Sequence, residues 1–98
     1  MLNNPSASAE VLRQLAADPD PFISGGVAQK EKTPADVLRQ LAADPDESVR
    51  ACVAGNVATP VDVLRQLVTD SDDYVRESVS TNEAAPVELR EQFAAETM

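Results

Sequence analysis

The sequence predicts an all-α fold, an α-solenoid of about 3.5 two-helix repeats. Three observations predict it. The phrase VLRQLAADPD stands at residues 11–20 and again at 37–46, and it returns as VLRQLVTDSD at 63–72. Pro34, Pro60 and Pro86 lie 26 residues apart, with Ser8 in the matching place; Asn56 and Asn82 keep the same step, with Asn4 and Lys30 in phase. No four-residue alternating run is bounded by hairpin turn residues, so no strand is expected.

The period divides a single domain, 1–98, into a divergent first repeat at 5–30, full repeats at 31–56 and 57–82, and a half-repeat at 83–98. Each full repeat reads as two short helices. Thr33 before Pro34, and Thr59 before Pro60, suggest an N-cap hydroxyl followed by a proline at the first helical position, where a missing N–H costs least. The helix of about ten residues that follows sets Val37, Leu38, Leu41 and Ala42 on one face, and Asp36, Arg39, Gln40 and Ala43 opposite.

Asp44-Pro45 suggests the same device for the second helix, α or 3₁₀, in which Val49, Cys52 and Val53 share a side and Gly55-Asn56 ends the run. The next repeat matches with Asp70, Val75, Ser78 and Val79, and stops at Thr81-Asn82. Helices this short and narrow-striped fray in isolation, so repeat must stack on repeat to bury them.

The first repeat departs from this pattern. Phe22-Ile23-Ser24-Gly25-Gly26 carries two adjacent glycines, each costing about 1 kcal/mol relative to alanine inside a helix. An irregular or mobile segment is therefore expected across 22–32. At the far end PVELREQFAAE keeps the period but places Arg90 where Leu12, Leu38 and Leu64 stand, as a capping unit requires. At the near end only Leu2 offers large apolar cover, which leaves Val11, Leu12 and Leu15 as an expected exposed patch for a homodimer or a docked partner.

Composition narrows the chemistry. Hydrophobic residues make up 43% and aromatic ones only 3%, which suits a core of small aliphatic layers. There is no histidine and a single cysteine, Cys52, so disulfide frameworks, cysteine-rich metal sites and most general bases and nucleophiles are missing. No enzyme activity, cofactor or metal is expected, and a cytoplasmic location follows from the lone thiol and from MLNNPSASAE, which has no basic start or apolar core. No apolar run approaches the ~20 residues that span a bilayer.

The Asp-x-Asp turns, Asp18-Pro19-Asp20, Asp44-Pro45-Asp46 and Asp70-Ser71-Asp72, resemble clustered cation ligands but lack the glycine and distal glutamate of a calcium loop. A helix-start role explains them: the first Asp as N-cap, the second in the first turn where the helix dipole favours negative charge. Arg13, Arg39 and Arg65 form one row and Arg50 and Arg76 another. Their expected structural partners are Asp36, Asp62, Asp46 and Asp72, three or four residues away on the same helix.

The same rows are candidate contacts for a carboxylate-bearing protein, or alternatively for a nucleic acid or phosphate chain. A net charge of −9 argues against the second partner and against anionic membranes. Phe22 and Tyr74 share one phase, where the middle repeat has Ser48, and are candidate contact residues if they do not pack under a turn. Gly26, Cys52 and Ser78 share another, a position that wants a small side chain.

The pattern TPADVLRQLAADPDESVRACVAGN, followed by TPVDVLRQLVTDSDDYVRESVSTN, resembles the leucine-rich repeat variant family, through TP, VLxxL, DPD, VRxxV and N recurring in order over nearly the whole chain. That resemblance implies a right-handed superhelix of alternating α- and 3₁₀-helices, and an architecture rather than an activity. It also implies no iron–sulfur cluster, since Cys52 alone cannot supply the roughly four thiolates one needs. The expected function is a helical-repeat module for protein–protein interaction.

Overall fold

Proline and aspartate decide where the helices begin. The computed structural model describes residues 5–96, which form seven α-helices with no strand among the described residues: α1 (Pro5–Ala16), α2 (Pro21–Ala28), α3 (Ala35–Leu41), α4 (Glu47–Gly55), α5 (Val61–Leu67), α6 (Asp73–Ser80) and α7 (Val87–Glu96). Leu2 and Asn4 lie outside the described residues. The second helix of each repeat is α rather than 3₁₀.

At α3 and α5 the caps differ from expectation. Pro34 and Pro60 themselves stand at the N-cap, extended at ψ 150° and 149°, with no side-chain cap bond. Thr33 and Thr59 are buried and face backward: their hydroxyls donate to the carbonyls of Val27 at 2.6 Å and Val53 at 2.7 Å. The last carbonyls of a helix have no partner within it, and these hydroxyls supply one. Both helices are also shorter than expected, 7 residues each. Ala43 and Asp44 tighten the exit of α3 by donating three residues back, to Gln40 and Leu41.

The aspartates also exchange roles. The second of each pair, Asp20, Asp46 and Asp72, is the N-cap of α2, α4 and α6, accepting from the backbone N–H groups of Phe22, Ser48 and Tyr74. The first, Asp18, Asp44 and Asp70, accepts from the N–H of the second at 2.8–2.9 Å and closes the turn. An aspartate bonding the backbone two residues on is an Asx turn, which brings the chain to the helix already bent.

The Gly25-Gly26 pair does not break α2. Neither glycine has positive φ, and α2 ends only at Ala28, where Gln29 returns its N–H to Gly25. A Cβ on Gly25 would meet the Cys52 sulfur at 3.8 Å, so the glycine is a packing surface for the next helix.

Packing runs from α2 to α4 to α6, with α1 closing on α2 and α7 on α6, and the molecule measures 52 × 24 × 16 Å. Val37, Leu38, Leu41, Val49, Val53, Val63, Leu64, Leu67, Val75 and Val79 are all fully buried in one continuous aliphatic core. Positions in phase show which side of a repeat faces its predecessor. Val11 is 51% exposed, whereas Val37 and Val63 are 1% and 2%. Leu15 is half-exposed where Leu41 and Leu67 are buried, but Leu12 is buried like Leu38, so the expected patch comprises Val11 and Leu15 without Leu12.

Asparagine ties the loops together. The buried Asn56 amide donates to the carbonyls of Ala28 (2.8 Å) and Lys30 (2.9 Å), while its oxygen accepts from the Ala58 N–H. Asn82 repeats this on Ala54, Asn56 and Ala84. Buried carbonyls need partners, and each asparagine serves two of them in the preceding turn. Arg90 donates to the Ser80 carbonyl at 3.4 Å and remains exposed beside buried Leu89.

Candidate interaction surface

Two faces carry the residues singled out by the sequence. On the first, all the arginines of the two rows except Arg76 pair across the repeats instead of along their own helices. Arg13 bonds Asp36 (3.2 Å), Arg39 bonds Asp62 (3.1 Å) and Arg65 bonds Glu88 (3.3 Å), each reaching 23 residues ahead. The expected partners in the same helix are not used, because the carboxylate in the next repeat sits opposite the guanidinium. The Arg13 bond holds the Asp36 carboxyl below its ordinary range despite slight desolvation.

The second row is more enclosed. Arg50 donates through Nε to Asp70 at 2.9 Å and through Nη1 to the Asp44 carbonyl at 2.8 Å. Burial pushes the Asp70 carboxyl upward; the Arg50 hydrogen bond, the Asp72 N–H and the charges of Arg50 and Arg76 outweigh it, and the net shift is downward. Arg50 is held above its ordinary value, first by the Asp70 bond. Arg76 pairs with Asp73 and also bonds the Asp70 carbonyl. All five arginines named from the sequence are thus engaged within the chain.

The second face is the outer side of α2, α4 and α6. Phe22 is 88% exposed and Tyr74 62%, so neither ring packs under a turn. Two adjoining depressions lie between them and share Gln29 and Cys52. The first, about 340 Å³, includes Phe22, Gly25, Gly26 and Ser48. The second, about 240 Å³, includes Ala51, Tyr74, Ser78 and Thr81.

Helical phase builds this trough: Phe22, Ser48 and Tyr74 form one lip, Gly26, Cys52 and Ser78 the floor, and Gln29, Gly55 and Thr81 the other lip. Every lining residue is uncharged. Gln29 spans two repeats by donating its amide to the Cys52 sulfur at 3.3 Å. No family model, curated protein or solved structure matches the chain.

Residue chemistry therefore has to speak for the trough. Among the described residues no three histidine, cysteine or acidic side chains are grouped to hold a metal ion. None of the described helices is long and apolar enough to cross a membrane. The repeat of small residues at 26, 52 and 78 is visible in the sequence, but it reads there as close packing. The space above Gly26, where an added Cβ would meet nothing within 4 Å, shows that this position faces outward into the trough.

Proposed function

We propose that this chain is a non-enzymatic helical-repeat module for protein–protein interaction, acting in the cytoplasm and holding another protein along the trough on α2, α4 and α6. Within this proposal the architecture is an α-solenoid of the leucine-rich repeat variant type, wound right-handed. Its support is the elongated row α2–α4–α6 and the asparagine bonds that recur 26 residues on.

The observation that carries the proposal is the pair of exposed rings, Phe22 and Tyr74, on one lip of an uncharged trough. Exposed aromatics beside a concavity are favourable anchors, since they contribute contact area at low entropic cost. The arginine rows are poorer anchors, because a partner would first have to displace their carboxylates.

Photo-crosslinking in the native cell tests this. A benzophenone amino acid at 22 or 74 is expected to capture a defined protein, and the same probe at 39 or 65 to capture none. Capture confined to the arginine row would overturn the assignment of the face.

A further inference from the structure

The trough has a chemistry specific enough to name its occupant, on the premise that it is the protein-binding face. We infer that it takes an extended, basic peptide segment, its backbone laid over Gly26, Cys52 and Ser78 and its lysine or arginine side chains turned toward the Phe22–Tyr74 lip.

The floor indicates an extended backbone. Glycine, cysteine and serine leave room for a main chain to come close. Around them the hydroxyls of Ser48, Ser78 and Thr81 donate within the chain, to Asp46, Tyr74 and Glu77, and the Gln29 amide donates to Cys52, which leaves their oxygens along the trough as acceptors for backbone N–H groups. An extended peptide presents unpaired N–H groups that need such partners, whereas a helix satisfies its own. Phe22 and Tyr74 stand two helices apart, about 16–20 Å at ordinary helix packing distances. About five or six extended residues cover that span.

Charge fixes the sign of the side chains. Just before the aromatic lip, α2 is preceded by Asp20 and α4 by Asp46, and α4 opens with Glu47. No close ion pair joins Asp20 or Glu47 to an arginine or lysine among the described residues, although the charge of Arg50 reaches Asp46 and Glu47. Asp72 and Asp73 extend this edge at α6, with Asp73 shared by Arg76. The opposite lip has fewer carboxylates near it, Glu31 and Glu83, and also has Lys30. Side chains alternate along an extended peptide, so one set meets the acidic, aromatic lip, where a cation gains from both the carboxylates and the ring faces.

Fluorescence anisotropy tests the inference with three probes: a labelled octapeptide alternating lysine and threonine, its glutamate counterpart, and a stapled helical peptide with the lysine composition. The lysine octapeptide is expected to bind, at least about tenfold more tightly than either of the others, and to weaken as salt rises. Phe22→Ala and Tyr74→Ala, at exposed positions, are each expected to weaken it about fivefold. Gly26→Leu enters open space, leaves the helical circular dichroism unchanged and is expected to weaken it at least about tenfold by filling the floor.

Equal binding of the glutamate or stapled peptide, indifference to Gly26→Leu, or no binding of the lysine octapeptide would each overturn the inference. If crosslinks at 22 and 74 still capture a protein in the last case, the binding face stands and only the chemistry of its occupant falls.

Discussion

The buried side-chain amide of Asn82 donates to the backbone carbonyl of Asn56 at 3.1 Å, joining two residues of the same phase in successive repeats. A second bond to Ala54 and one accepted from Ala84 bring the total for this side chain to three. Asn82→Ala strands the Ala54 carbonyl and the Ala84 N–H and leaves the Asn56 carbonyl only its bond from the Thr59 N–H, around a side chain only 3% exposed. An unmet buried polar group costs about 1–3 kcal/mol, and the groups here relax together, so a loss of about 2–4 kcal/mol is expected in urea unfolding. Asn82→Asp should cost at least as much, since its carboxylate would face carbonyl oxygens where the amide donates. A change below ~1 kcal/mol for Asn82→Ala would show that water replaces the amide freely.

The Arg50–Asp70 pair should matter more to stability than the exposed pairs of the other row. Its side chains are 17% and 11% exposed, against 50% and 67% for Arg39–Asp62. Exposed pairs are screened and held at an entropic cost. Asp70→Asn keeps the shape but removes the charge opposite Arg50, and a loss of about 1–3 kcal/mol is expected. A double-mutant cycle on Arg50 and Asp70 should retain most of its coupling in 0.5 M salt, while one on Arg39 and Asp62 should fall toward zero.

Acid should expose the same asymmetry. Asp36, Asp46 and Asp70 all have carboxyl groups held below their ordinary range, by Arg13, by Ser48, and by Arg50 working against burial respectively. A folded-state value below the unfolded one, about 3.9 for aspartate, means that each contribution is complete above that pH and is lost as pH falls through the folded value. Stability is therefore expected to hold from about pH 7 to 5 and to decline below about 4. The decline combines with the easing of the −9 net charge, so the sharper measurement is a difference. The gap in urea midpoint between the native chain and Asp70→Asn should be constant near neutrality and close in acid. A gap that widened in acid would contradict the assigned sign.

Much of this architecture was legible in the sequence because proline, aspartate and asparagine recur in fixed phase, and each constrains the backbone locally. The all-helical fold and the buried positions of Val37, Leu41, Val63 and Leu67 follow from that pattern and from the 3.6-residue stripe. Local chemistry misassigned the caps. A threonine before a proline and the first aspartate of a pair both read as caps, and the difference lay in which carbonyl or N–H each side chain reaches in space. The ion pairs escaped for the same reason. Asp36 is near Arg39 in sequence, yet Arg13 is the residue that holds it. The trough was half visible: the small residues at 26, 52 and 78 were there to be read, but only the backbone position distinguishes a tight interface from an open floor.

Gly26 makes that distinction measurable. Glycine inside a helix costs about 0.5–1 kcal/mol relative to alanine, because the unfolded chain has more freedom to lose. At Gly26 the φ is not positive and an added Cβ meets nothing within 4 Å, so neither strain nor a clash offsets the gain. Gly26→Ala is therefore expected to raise stability by about 0.5–1 kcal/mol in urea unfolding. Gly25→Ala places its methyl group in ordinary contact with the Cys52 sulfur and should be neutral or mildly stabilising. If the open floor is a binding surface, a small residue persists there at a cost to stability. The alanine at 26 should then produce a more stable protein that binds the lysine octapeptide less tightly. Destabilisation by Gly26→Ala would instead place the residue against a neighbour, and the trough would lose its floor.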